Sequence, residues 1–402
     1  MNQQSTLRIC YISTFPPARC GIAYYTVALA KNIKKENPCA KIYILPLTDE
    51  KNKIIGRHRT FFSTMLNVSS LLNPDVIHIQ HHFSLYSSFS LILFSLLSKF
   101  LMKKYRIVIT LHELPSISKE LQTIGLKRAL TPLKIFNGLR VMLLLRGLFL
   151  FDKVIVHTYY AKKLLIYEYH LPYKKVVVLP HGSESPVQIF PPLIAKKRLA
   201  IDPRKKVILC FGFIQPYKGY EYLLEAVSKV PKIVRENILI LIAGDAHPNN
   251  IENGYKYLKT LQKTVERLGL GNNVRFDTKF IPEKEVPLYF SSADLVVLSH
   301  TESLASGVFH LAVAYGKPII ASDVGEFKEF LKLGIGVLVP PRNVIELRNA
   351  IVQMLFKSEA ELAYIRSKLK EVSEKYFSWK VIAKKTLLVY DELLKHKRSE
   401  PL

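Results

Sequence analysis

The chain has 402 residues, a formal net charge of +26, and 49% hydrophobic against 22% charged residues. That length exceeds one ordinary core and points to two domains of about 200 residues, while the apolar share excludes wholesale disorder. The four cysteines, Cys10, Cys20, Cys39 and Cys210, show neither metal-ligand spacing nor a paired framework, and read as reduced thiols of a cytosolic protein.

The chain opens on a strand pattern, Arg8–Ser13, where a secretion signal would need a long apolar run. The loop Phe15-Pro16-Pro17-Ala18-Arg19-Cys20-Gly21 then leads into a helical stretch, Ile22–Lys34. Gly21 at the helix start lets a sugar or phosphate come close to the backbone; a tight structural turn is the alternative. Further strand patterns fall at Lys41–Leu47, Asp75–Ile79, Arg106–Leu111, Lys153–His157 and Lys175–Leu179, with helical stretches at Leu85–Lys103 and Tyr160–Tyr169. Such alternation predicts a parallel sheet covered on both faces.

Histidines gather at the strand ends. His78, His81 and His82 cluster at one, and His112, followed by Glu113, closes another. At the carboxyl end of a parallel strand an imidazole points into the crevice and can accept a proton. An ordinary core histidine is the competing outcome, and metal binding lacks an ordered carboxylate or cysteine partner.

The charge is lopsided: residues 1–200 hold 28 Lys+Arg against 9 Asp+Glu, a net of +19. An excess of that size implies an anionic partner. It lies beside the most apolar segments, with Lys99, Lys103, Lys104 and Arg106 closing one run and Lys127, Arg128, Lys134, Arg140 and Arg146 dotting the next. The first run, Leu85–Met102, is diluted by five serines and broken by Lys99; the second, Leu139–Phe151, is short and interrupted by Arg140 and Arg146. Neither reads as a transmembrane helix. The pattern fits attachment to an anionic membrane surface, each cation contributing roughly 1 kcal/mol, or a buried helix with a basic rim. Nucleic acid is not an expected partner, because no recognition-helix, zinc-finger or RNP-type pattern is present.

The polar stretch Ser183–Lys206 holds Pro186, Pro191, Pro192 and Pro203 and reads as an interdomain linker. The expected division is a first domain over 1–185, a linker over 186–205, a second domain over 206–376 and a closing helix over 377–402. The second half repeats the alternation, with strands at Val207–Phe211, Ile238–Ala243, Val274–Phe276, Leu295–Leu298, Pro318–Ala321 and Val337–Val339. It ends on a helical run, Ser378–Lys397.

Two loops of this half have the make-up of anion sites. Phe211-Gly212-Phe213-Ile214-Gln215-Pro216-Tyr217-Lys218-Gly219 leaves an apolar strand and enters a helix, with Gly212 turning the chain and Lys218 supplying a positive charge. Thr301-Glu302-Ser303-Leu304-Ala305-Ser306-Gly307 does the same ahead of the helical run Val308–Tyr315, with Ser306 and Gly307 as helix cap and first turn. Two helix N-termini at strand ends of one sheet are how an open α/β domain binds a nucleotide. Asp245, after Ala243-Gly244, also ends a strand; helix capping is its expected part, beside lining the nucleotide pocket or facing solvent.

Taken in order, these stretches resemble the family 4 retaining glycosyltransferases of GT-B fold. The resemblance runs through Phe15-Pro16-Pro17, Gly21-Ile22-Ala23, Ile79-Gln80-His81, Thr110-Leu111-His112-Glu113 and Gly212 to Lys218-Gly219. It continues in Ala243-Gly244-Asp245, Ala305-Ser306-Gly307-Val308, Gly316-Lys317-Pro318, Ser322-Asp323-Val324-Gly325 and Phe377-Ser378-Trp379, and so spans almost the whole chain. It implies two doubly wound Rossmann-like domains facing a cleft, with the C-terminal helix packing back toward the first. It implies transfer of a hexose, of mannose or glucose type, from a GDP- or UDP-sugar to a glycan or lipid-linked acceptor, with retention and without a metal or other cofactor.

By the same resemblance Lys218 neutralises the donor diphosphate, helped by the amides around Ser306 and Gly307, and His112 sits over the donor sugar. Gly21, Gly212, Asp245 and Glu302 belong to the donor side, and His78 and His81 to the acceptor side. The expected place is the cytoplasm, with peripheral attachment to the inner face of the membrane through the basic first domain.

The chain departs from the family twice. Phe213 stands where an arginine usually follows the first-loop glycine. The usual pair of glutamates eight positions apart is also absent: counting back from Gly316-Lys317-Pro318 puts Ser303 and Leu311 there, and only a one-residue slip of register gives Glu302 and His310. The alternatives are a non-catalytic GT-B protein binding a glycan or an enzyme partner, and a GT-B epimerase or phosphorylase. Loss of the glutamates favours the first; retention of Lys218, His112 and the Ser306-Gly307 turn opposes it.

Overall fold

The computed structural model describes residues 6–17, 21–47, 72–81, 105–112, 114, 147–183, 186, 188–246, 251–302 and 306–398. His82, Glu113, the stretch Leu85–Lys103 and most of Leu139–Phe151 lie outside the described residues, and with them the basic apolar segments. The chain forms two compact units, Met1–Gly182 with Trp379–Leu402, and Ser183–Ser378.

The first unit is built on six parallel strands: β1 (Arg8–Ser13), β2 (Lys41–Pro46), β3 (Val76–His81), β4 (Arg106–Leu111), β5 (Lys153–Val156) and β6 (Val176–Val178). Their order across the sheet is β2-β1-β3-β4-β5-β6. β3, β4 and β5 are buried on both faces, and their Val- and Ile-rich text is what a doubly covered strand requires. The Gly21–Glu36 helix buries Tyr25, Leu29 and Ile33, one apolar side chain per turn. The C-terminal helix, Trp379–Arg398, joins the same core through Trp379, Ile382, Ala383, Tyr390 and Leu393. Gly182 makes that possible, because a Cβ there would lie 2.4 Å from Cδ2 of Trp379.

The second unit has β7 (Lys206–Phe211), β8 (Ile238–Ala243), β9 (Val274–Asp277), β10 (Leu295–Leu298), β11 (Ile319–Ser322) and β12 (Gly336–Val339). They are all parallel, in the order β12-β11-β10-β7-β8-β9. The strands following β7 step to one side and those from β10 onward to the other, so the chain reverses direction between these two. All twelve expected strands are present, four with the expected bounds and eight displaced by one or two residues at their ends.

The expected linker over 186–205 is not one. Pro191 and Pro192 start the Pro192–Arg198 helix instead of ending order, since proline fits a first helical turn. That segment is tied to the second unit: Ser291 Oγ accepts from the Phe190 amide at 3.0 Å, and the buried Lys196 ammonium pairs with Asp294 at 3.0 Å. Among the described residues no helix is long and apolar enough to cross a membrane.

Candidate functional site

The reversal between β7 and β10 puts the carboxyl ends of these strands at the place where an open α/β sheet takes its ligand. The residues of the first anion loop fall there. Gly212 follows β7 with φ of +90° and donates its amide to the Ala243 carbonyl at 2.9 Å. A Cβ on it would meet Val308 Cγ2 at 3.2 Å and Lys218 Nζ at 3.5 Å, so this glycine lets the lysine and the Gly307–Ala314 helix come together. Its neighbour Gly244 is equally constrained, with φ of +145° and a hypothetical Cβ 2.2 Å from the Gly212 oxygen.

Lys218 closes a short 3-10 turn, Pro216–Lys218, and Gly219 at φ +61° passes the chain into the Tyr220–Ser228 helix. Lys218 is 5% exposed. Its ammonium donates to the Phe211 carbonyl at 3.3 Å, and among the described residues no carboxylate pairs with it. Burial lowers its pKa from 10.5 to about 8. A buried cation with one long hydrogen bond is poorly compensated, and a bound anion would supply what is missing.

Ser306 caps the Gly307–Ala314 helix, its Oγ accepting from the Phe309 amide at 3.4 Å. Its own amide, expected to face a phosphate, instead donates to the fully buried carboxylate of Glu326. The first-turn donors left to an anion are therefore the amides of Gly307 and Val308. The other Glu326 oxygen lies 3.0 Å from His310 Nε2, and the His310 ring packs edge-on against Phe377 with centroids 4.5 Å apart. His310 is thus turned into the core at 2% exposure and its Nε2 is engaged by Glu326. Glu302 is exposed. The Asp245 carboxylate accepts from the Ala246 amide at 2.7 Å and from the Tyr255 hydroxyl at 3.2 Å.

In the first unit the strand-end histidines form a bonded chain. His112, one residue past β4, has Nε2 2.8 Å from Gln80 Oε1 and Nδ1 3.1 Å from His157 Nε2. His157 in turn donates Nδ1–H to the Leu179 carbonyl at 2.9 Å. Tyr25 packs edge-on against His112, His181 and Trp379, with centroids 4.7, 5.0 and 5.0 Å apart. His78 departs from its expected place on an acceptor face. It is fully buried, with Nδ1 2.5 Å from the Tyr390 hydroxyl and Nε2 2.7 Å from Thr110 Oγ1. Both ring nitrogens are spent, and burial pushes its pKa down to about 3. His81 is buried too, at 1% exposure. Gly21 opens its helix with nothing within 4 Å of a Cβ position. Gly21, His78, His81 and His112 lie in the first unit, and the remaining expected residues in the second.

A family model of glycosyl transferases group 1 matches residues 194–371, and one of glycosyltransferase family 4 matches residues 21–184. The chain belongs to glycosyltransferase family 4. Similar relatives are a D-inositol 3-phosphate glycosyltransferase of Thermobispora bispora, 26% identical over 252 residues (60% of this chain, 56% of the relative), and the uncharacterized glycosyltransferase MJ1607 of Methanocaldococcus jannaschii, 29% identical over 196 residues (48% and 47%). The chain spans about half the length of the curated relatives it matches.

Solved structures share the GT-B fold. Sucrose-phosphate synthase from Thermosynechococcus elongatus superposes with a TM-score of 0.73 at 19% identity, covering 97% of this chain and 100% of that one. Anabaena Alr3699/HepE, crystallised with UDP, gives 0.72 at 18%, covering 96% and 100%.

Within this family 4 chain, three residues went unread in the sequence. Glu326 carries no local signal, because its partners are distant in the chain. His157 and His300 do carry one: His157 directly follows β5 as His112 follows β4, and His300 stands two residues beyond β10.

Proposed function

We propose that this family 4 chain transfers a hexosyl group from a UDP- or GDP-sugar to a glycan or lipid-linked acceptor, with retention of anomeric configuration and without a metal. The observation that carries the reading is Lys218, a buried ammonium without a counter-charge among the described residues, beside the first turn of the Gly307–Ala314 helix and at the reversal point of the sheet. As the bond between the anomeric carbon and the diphosphate oxygen breaks, negative charge grows on the departing nucleoside diphosphate. A preformed cation and helix-turn amides stabilise that charge in place of a metal ion. The acceptor hydroxyl forms the new bond to the anomeric carbon and gives its proton to the departing diphosphate oxygen. His112, with both ring nitrogens in a bonded chain of fixed geometry, is the residue assigned to the donor sugar.

The likeness to a protein crystallised with UDP, and in further structures with UDP and glucose or with UDP-glucose, supports a nucleotide-sugar donor. The basic first 200 residues support an anionic membrane surface as the place of work, which co-sedimentation with anionic vesicles at low salt tests. The deciding experiment is nucleoside diphosphate release from UDP-, GDP- and ADP-sugars, with and without a membrane lipid extract. Release from one donor, lost in Lys218→Met, is expected. Dependence on the extract would make the acceptor a lipid, and silence of folded protein across the panel and the extract would refute the reading.

A further inference from the structure

His300 stands two residues beyond β10, at the same reversal of the sheet as Gly212 and Lys218. It is 2% exposed, and neither Nδ1 nor Nε2 has a hydrogen-bond partner. A neutral imidazole carries one donor and one acceptor, so both have lost water with no replacement, which folded proteins rarely tolerate without a reason. Two other buried histidines show the ordinary solution: His157 meets the Leu179 carbonyl, and His78 meets two hydroxyls. His300 does neither.

The ring is firmly placed. Tyr217 packs on it edge-on with centroids 5.5 Å apart, and Phe327 does so at 5.3 Å. Its flanking residues are laced to the lysine loop: Ser299 Oγ donates to the Lys218 carbonyl at 2.9 Å, and the Thr301 amide donates to the Tyr217 carbonyl at 2.8 Å. His300 is thereby held beside Lys218, whose charge adds to burial in keeping the imidazole neutral. Two groups able to bind an anion, each lacking an anionic partner among the described residues, thus stand where an open α/β sheet takes its ligand. The adjacent ammonium disfavours a metal ion as the occupant. An anion of more than one charge suits both, the lysine through its charge and the imidazole through its N–H.

We propose that His300 is a phosphate-binding residue which, with Lys218, holds the diphosphate of the nucleotide ligand. This rests on the nucleotide-sugar reading, and the experiment separates the two.

Calorimetric titrations of the full chain with UDP and GDP, and with uridine and guanosine as phosphate-free controls, are run on wild type, His300→Leu and His300→Gln, beside thermal melts. His300→Leu is expected to melt at or above the wild-type temperature, because it removes stripped polar atoms. It should bind the nucleoside diphosphate at least tenfold more weakly while nucleoside binding stays unchanged. His300→Gln, which keeps a side-chain N–H, should recover part of the loss. Undiminished diphosphate binding by a folded His300→Leu overturns the assignment alone, as does an equal loss toward the nucleoside. Wild type that binds neither diphosphate overturns the nucleotide reading with it.

Discussion

Replacing Lys218 by methionine keeps the length of the side chain and removes its charge. Burial of the ammonium brings its pKa from 10.5 to about 8, and the carbonyl of Phe211 at 3.3 Å is a weak return for lost water. The fall corresponds to about 3 kcal/mol of destabilisation of the ligand-free protein while the lysine is charged in both folded and unfolded states. Below about pH 8 that cost is complete. Between pH 8 and 10.5 the folded lysine sheds its proton before the unfolded one does, so the unfolded state binds more protons and wild-type stability rises with pH. Above that window both forms are neutral and the cost is gone.

Lys218→Met should therefore be more stable than wild type by about 3 kcal/mol near neutral pH, a rise of roughly 6–12 °C in melting temperature for a unit of this size. The advantage should shrink steadily through the alkaline window. Calorimetric melts at a series of pH values measure it, with nucleoside diphosphate release assayed in parallel and expected to disappear. Lys317→Met is the contrast: its ammonium is also lowered to about 8 by burial, yet it donates to the carbonyls of Ala293 and Ser291 at 2.9 and 3.3 Å. Removing it strands two acceptors, so its gain should be smaller. A Lys218→Met protein that melts at or below wild type near neutral pH would show that the ammonium is well compensated. An anion at this place would then meet no uncompensated charge.

Gly219→Ala should destabilise the second unit by about 2 kcal/mol or more, because φ is +61° and the new Cβ would lie 2.3 Å from the Ser299 carbonyl oxygen. Urea titration against Gly271→Ala, where no atom lies within 4 Å, isolates the effect. Tyr390→Phe should cost the first unit about 1–3 kcal/mol, since it leaves His78 Nδ1 and the Tyr11 hydroxyl without their shared partner; an unchanged urea midpoint would contradict that. In a Cys20→Ser background, a thiol reagent at mildly alkaline pH should label the exposed Cys39 quickly. Cys10 and Cys210, buried with pKa values raised to about 12, should label only on unfolding, and fast labelling of either in the native state would refute their burial.

The strands were legible because a strand covered on both faces must be written in a run of apolar, often β-branched residues, as in Val76–Ile79 and Ile238–Ala243. The glycine and lysine of the first loop were legible for a similar reason, since the demand for φ above zero at Gly212 and Gly219 is local to the chain. The stretch 186–205 misled because proline ends a helix from within but starts one from its first turn, and text alone does not say which position Pro192 holds. The cap at Ser306 is written in the local sequence, whereas the destination of its amide is not, because nothing near it announces Glu326.

The sequence by itself determined the two parallel sheets, the family, and the lysine loop at the end of β7. Tertiary structure alone decided that Lys218 has no counter-charge and His300 no hydrogen-bond partner among the described residues, that Glu326 claims the Ser306 amide, and that His78 is spent on Tyr390 and Thr110. The division has one physical cause. Backbone demands and burial on a sheet repeat within a few residues and are written locally, whereas the partner of a buried polar atom is whatever the fold brings within about 3 Å of it, often from a segment far along the chain.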